Sequence, residues 1–447
     1  MEPKDFLLHE LENIEQTLQE TLRHDYPPGS GKEFYDECKI RLSRLRLQIE
    51  KAAPTDFRSL TYHSSCLSNV SYLISLIERS HLGEFSWSFA HMLRSIAAPL
   101  CAEPSPKNDL KPIIHILADG GLTAYRIYPE SAQPDLIRHK RILNIVFPRT
   151  LKHHVLLHAI FGHEIGHAAW AIPKLKSDLD REVVKPLFSG SVFEDAAKAD
   201  IWLNSSSRPK EFSDYHTHWN SKHPHNLQFS GKNNFTLYLW QQEFFCDLFG
   251  VIMFGPSFAG AHKLLLGTLN TTGEMFSNSH PPYASRALLV ARALKIQGWL
   301  NSPTSVDVKL KKAISKFSEY VTATPSSDAF YDVFTDKQIK IAMEGLKRLL
   351  GLFPNTLYPA PSATDISFIT DSLVRRVPPS GARLGSDGNP ELFAIDFRHV
   401  LYAGWIVWIG RDYLPDAKML DLLTINRLCD RGILQQNAVE LTRTQAS

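Results

Sequence analysis

Residues 150–173 carry the set His163-Glu164-Ile165-Gly166-His167. Two histidines four residues apart on a helix project from one face, so their rings can share one metal ion. Glu164 lies about a quarter-turn round the same helix. It can reach water at that metal without competing for the ion, as a general base must. Thr150 is a candidate N-cap and Pro173 a stop, and the stretch between them predicts a helix of about six turns. Leu156, Ala159, Ile160 and Trp170 fall on the histidine face and would wall the site with apolar surface. His154 and His158 are also four apart but face roughly the opposite way, and His153 is too far along the helix to join them. These three are read as polar or packing residues.

A catalytic metal needs a third protein ligand. The apolar helical pattern over 237–254 holds two carboxylates, Glu243 and Asp247, again four apart. Two acids on one buried stripe are costly unless they are paired or bind metal. Glu243 is the candidate third zinc ligand. Asp247, one turn on, is the candidate acceptor for the second ring N–H of a ligating histidine, His163 in the first instance. Gly250 shares their face and would let two helices pass closely. The plainer alternative is an acid pair neutralised by an arginine elsewhere.

Further on, His280-Pro281-Pro282 is followed by Arg286 and by a helical pattern over 282–299. In this order, His163-Glu164-x-x-His167, Glu243-x-x-x-Asp247 and His280-Pro281 with Arg286 resemble the gluzincin metallopeptidases of the HtpX and CAAX prenyl protease type. The resemblance covers residues 150–290. It implies His163, His167 and Glu243 as zinc ligands and Glu164 as base. It also implies His280 as stabiliser of the tetrahedral oxyanion and Arg286 as its support. Those relatives are often membrane proteins, whereas the longest strongly apolar run here, 400–409, is far below the roughly 20 residues of a spanning helix. Neither membrane insertion nor a prenylated substrate is therefore carried over.

The elements that must position these residues are mostly helical. Residues 1–101 show apolar positions at helical spacing, beginning with Phe6, Leu7, Leu11, Ile14 and Leu18, and no catalytic set. They read as a helical packing or docking domain. Residues 113–128 read as a β-hairpin about Asp119-Gly120-Gly121, with another strand over 141–147. A free edge of that sheet could bind an extended peptide. The interval 174–232 is long and polar and carries His216, His218, His223 and His225, so it reads as an insertion that could act as a lid. From 301 to 447 the pattern is helical again, with stripes near 308–322, 336–350, 364–376, 396–411 and 418–431.

With 49 basic and 47 acidic residues among 447, the net charge of +2 gives no case for nucleic acid or an anionic membrane. Five widely spaced cysteines make no disulfide framework and fit a reducing cytoplasm. The N-terminus has no apolar signal core. The expected fold is α+β and mostly helical. A zincin-like core with a small antiparallel sheet spans 112–300, with the insertion 174–232, between helical regions 1–101 and 301–447. The expected activity is that of a zinc metalloendopeptidase with one zinc per chain, acting on a protein or peptide. Its alternatives are a narrow-specificity regulatory or defence protease and a metal-bound scaffold without hydrolysis. Glu164 argues against the scaffold, because a structural site needs ligands but no base.

Overall fold

The structure, a computed structural model, describes residues 2–26, 30–80, 87–100, 113–119, 125–129, 140, 142–203, 235–269, 280–323, 331–353, 355–384, 390–393 and 395–446. The described chain is mostly helical with a small sheet, and it divides into two compact units, 1–153 and 154–447.

The first unit holds α1 (Pro3–Glu20), α2 (Ser30–Lys51), α3 (Phe57–Ile77) and α4 (Trp87–Leu100), then β1 (Ile113–Asp119), β2 (Arg126–Pro129) and β3 (Ile142–Pro148). In α1 the buried residues are Leu7, Leu11, Ile14 and Leu18, which recur every third or fourth position and so form one stripe. Asp56 caps α3 by accepting from the Ser59 N–H. These stripes share one core with Ile113 and Ile142 of the sheet.

The sheet departs from the expected hairpin. Its order is β1-β3-β2, with β1 parallel and β2 antiparallel to β3. The antiparallel sheet read from the sequence is therefore a mixed one. All seven residues of β3 are buried, and a strand apolar on both faces is best placed in the centre, where both its edges are paired. Direct pairing of β1 with β2 would leave β3 at an edge. The turn residues 120–124 lie outside the described residues.

The second unit opens with the segment expected to be one long helix. Instead, a 3₁₀ turn over Val155–Ile160 leads into an α-helix of only ten residues, α5 (Phe161–Trp170). Tertiary anchoring outweighs helical propensity here. His154 is extended away from helical angles, the Leu157 N–H bonds to its carbonyl, and the Leu156 N–H donates to Asn426 Oδ1 at 3.0 Å. His158 is fully buried beside the Phe161 ring, a packing residue.

The described part of the insertion, 174–203, is largely helical. It contains α6 (Pro173–Leu179), a π-helical turn over Asp180–Val184, α7 (Lys185–Phe188) and α8 (Ala196–Leu203). Phe193 packs its ring against Trp202, Trp240, Phe244 and Phe334, which anchors this part of the insertion to the core. The His-rich stretch 214–225 lies outside the described residues.

The remainder comprises α9 (Phe235–Phe254), α10 (Pro256–Leu269), α11 (Tyr283–Ile296), α12 (Val308–Thr322), α13 (Asp336–Leu350), α14 (Ala363–Val374), a two-stranded ladder of β4 (Ala382–Leu384) and β5 (Pro390–Leu392), α15 (Phe397–Gly410) and α16 (Leu422–Ala446). Capping boxes at Thr335 with Gln338 and at Ser362 with Asp365 fix where α13 and α14 begin. Trp405 is fully buried in α15. Among the described residues no helix is long and apolar enough to cross a membrane.

Candidate metal centre

Two helices build the centre, and glycine lets them touch. A methyl group on Gly162 of α5 would sit 2.9 Å from the Cα of Gly250 on α9, and one on Gly166 would sit 3.1 Å from the Cα of Cys246. Side chains at these two positions of α5 would force the helices apart. The close approach brings the inner face of α5, with His163 and His167, onto the acidic stripe of α9.

There the donor atoms converge. His163 Nε2 lies 3.3 Å from Glu243 Oε2, and His167 Nε2 lies 3.3 Å from Glu243 Oε1. The two Nε2 atoms are 3.1 Å apart. Glu243 is buried, and its Oε2 accepts no hydrogen bond, although Arg286 Nη1 is 3.0 Å away. Donors held at 2.0–2.1 Å around a tetrahedral zinc are separated by about 3.3 Å. The separations of 3.1–3.3 Å are of this size, so the three groups fit a cation held between them.

The support is equally specific. His163 Nδ1 is 2.9 Å from Asp247 Oδ1, which makes Nδ1 the protonated nitrogen and leaves the Nε2 lone pair for a metal. Arg286, buried on α11, donates to Asp247 twice, from Nε to Oδ2 at 2.7 Å and from Nη2 to Oδ1 at 2.8 Å. Sequence reasoning posed a metal site and an arginine-neutralised acid pair as alternatives, and the structure contains the elements of both. The closest contacts of Arg286 run to the two carboxylates, which places it to hold Asp247 and Glu243 rather than at the solvent side beside His280.

Burial would push both acids up, but Arg286 and the histidines outweigh it and hold Glu243 and Asp247 well below their usual ranges. Burial likewise works to lower His163, yet Glu243 and Asp247 raise it to about 10. The two acids thus favour the protonated imidazole. Glu164 is partly exposed, and the packing around it pushes its carboxyl up.

His280 is exposed and places Nε2 3.7 Å from Glu243 Oε1, beyond hydrogen-bond reach. It and the partly exposed His167 mark the side of the centre that opens to solvent.

Two residues escaped the sequence reading. Cys246 Sγ falls within 4.8 Å of the ligand atoms of His163 and His167. It competes with Glu243 for the third ligand position. Glu243 is the better choice, because both its oxygens face an imidazole Nε2, whereas Sγ sits tight against Gly166 and burial pushes the thiol well up. Its place between Glu243 and Asp247 in the sequence was the available signal. The other is His262 on α10, buried with Nε2 3.6 Å from Asp247 Oδ1. Nothing in Ala259-Gly260-Ala261-His262 marks it. Comparison with protein-family models, curated proteins and solved structures returns no match.

Proposed function

We propose that the chain is a zinc-dependent endopeptidase acting on a protein or peptide substrate, with a zincin-like centre in its second unit. One observation carries the reading. His163 Nε2, His167 Nε2 and the Glu243 carboxylate converge at 3.1–3.3 Å beside a non-ligating acid, Glu164, on the same helix. Zinc held by His163, His167 and Glu243 supplies a Lewis acid for water and for a scissile carbonyl. Glu164 takes a proton from the attacking water onto its carboxylate and returns it to the leaving amine. Its raised pKa brings it nearer the operating pH, which suits a group that must act first as base and then as acid. Asp247 keeps the His163 proton on Nδ1, and Arg286 keeps Asp247 ionised. His280, on the solvent side, offers an N–H to the developing oxyanion.

The test joins metal content to activity. Protein purified without chelator should contain one zinc per chain. Glu164→Gln should keep that zinc and the unfolding temperature while turnover of an unfolded substrate falls by about 10²–10⁴-fold. Absence of tight metal binding, or a Glu164→Gln variant as active as the parent, rejects the proposal.

A further inference from the structure

A buried polar atom beside this centre lacks a partner. His262 is 1% exposed, and its Nε2 makes no hydrogen bond. Leaving such a group unsatisfied in a core is costly, and an apolar residue of similar shape would avoid that cost. Its surroundings supply a reason. The nearest acid, Asp247, already accepts from His163 Nδ1 and Arg286 Nη2 on Oδ1 and from Arg286 Nε on Oδ2. The two lone pairs of Oδ1 are thus in use, and His262 Nε2 waits 3.6 Å from the same oxygen. Should the Arg286 fork turn towards Glu243, which its Nη1 already approaches at 3.0 Å, a donor of fixed position remains for Asp247.

The ring face of His262 has a second contact. It stacks on Tyr283 with centroids 5.6 Å apart and planes at 30°. The Tyr283 hydroxyl reaches towards Gly267 on α10, where an added methyl would come within 3.0 Å of it. From Tyr283 the chain runs back through Pro282 and Pro281 to His280, and two prolines with fixed φ transmit the position of the aromatic ring to that histidine. One imidazole therefore stands 3.6 Å from the acid that orients His163 and stacks on the ring three residues after His280.

We propose that His262 is a positioning residue of this centre, steadying Asp247 behind His163 with its Nε2 edge and the His280 turn with its ring face. The proposal rests on the metallopeptidase reading. Three variants separate the two contacts, each measured for zinc affinity by chelator competition, for kcat and KM at saturating zinc, and for unfolding temperature. His262→Phe keeps the stacking and loses the donor, so zinc binding should weaken by about 10-fold with kcat at saturating zinc preserved. His262→Gln keeps a donor and loses the ring, so it should recover the parent's zinc affinity but lower kcat without raising KM. Tyr283→Leu leaves His262 itself intact and should lower kcat alone, so the ring face is tested even if a change at 262 prevents folding. Variants that match the parent in both zinc affinity and kcat overturn the proposal. So do variants that lose both in parallel with stability, which is the signature of packing alone. A parent protein that binds no zinc rejects the metallopeptidase reading and this inference with it, whereas a zinc-binding parent with insensitive variants rejects this inference only.

Discussion

Each unit buries a cluster of charge, and the two clusters balance differently. In the first unit, Glu37 Oε1 accepts from Arg41 Nε at 2.7 Å and Oε2 from the Lys140 N–H at 2.9 Å, while Arg41 Nη2 donates to the Lys140 carbonyl at 2.7 Å. Both carboxylate oxygens are satisfied, and the result pins the chain just ahead of β3. In the second unit, two carboxylates share the guanidinium of Arg286, and the Nε2 atoms of His163 and His167 both face Glu243. Buried charge alone is a structural device. The convergence of two imidazoles on one carboxylate is what the metal proposal rests on.

The sharpest way to break that contrast is to remove each arginine. Arg41→Met leaves Glu37 buried without its partner and should cost about 3–5 kcal/mol of stability, with no recovery on adding zinc. Arg286→Met should cost a similar amount in metal-free protein, but zinc should return part of it, because the ion takes over the charge of Glu243. Urea unfolding of both variants with and without zinc gives the answer, and equal zinc responses would erase the distinction.

A smaller effect follows from the proton on His163. Its pKa in the metal-free fold, about 10, stands above the ordinary 6.5 because the two acids outweigh burial. A raised pKa contributes stability that is complete below about pH 6.5 and is lost as pH rises through about 10. A metal at Nε2 must displace this proton, so zinc affinity should tighten by about tenfold per pH unit across that window. Dissociation constants at three pH values inside it would show the slope, and a flat profile would mean that no proton is displaced.

Cys246→Ser is expected to change least. With Glu243 as the third ligand, zinc affinity should shift by much less than about 10-fold. A Co²⁺-substituted parent should likewise show no thiolate charge-transfer band. Such a band, lost in the serine variant, would move the ligand assignment from Glu243 to Cys246.

The grouping of the candidate site residues was legible in the sequence wherever it was written as spacing. His163 with His167 and Glu243 with Asp247 are each four apart, and a helix turns that interval into proximity. The helices of 301–447 were legible for the same reason, with 308–322 and 336–350 matching α12 and α13. What escaped was set by contacts distant in sequence. The six-turn helix shortened to α5 because Asn426 holds Leu156. The hairpin became a mixed sheet because β3 needs partners on both edges. Arg286 was singled out, but its two carboxylate partners lie 39 and 43 positions earlier, and no local pattern predicts which acid a buried guanidinium will choose. His262 carries no motif at all.

The glycines between α5 and α9 have one more consequence. Because Gly162 meets the backbone of Gly250, and Gly166 that of Cys246, the distance between the donor-bearing helices is set by main chain against main chain. No rotamer change or neighbouring loop can adjust it. The gap works as a fixed caliper, so in the proposed metal site the fit to an ion's radius would be set by the backbone spacing as well as by the ligand side chains.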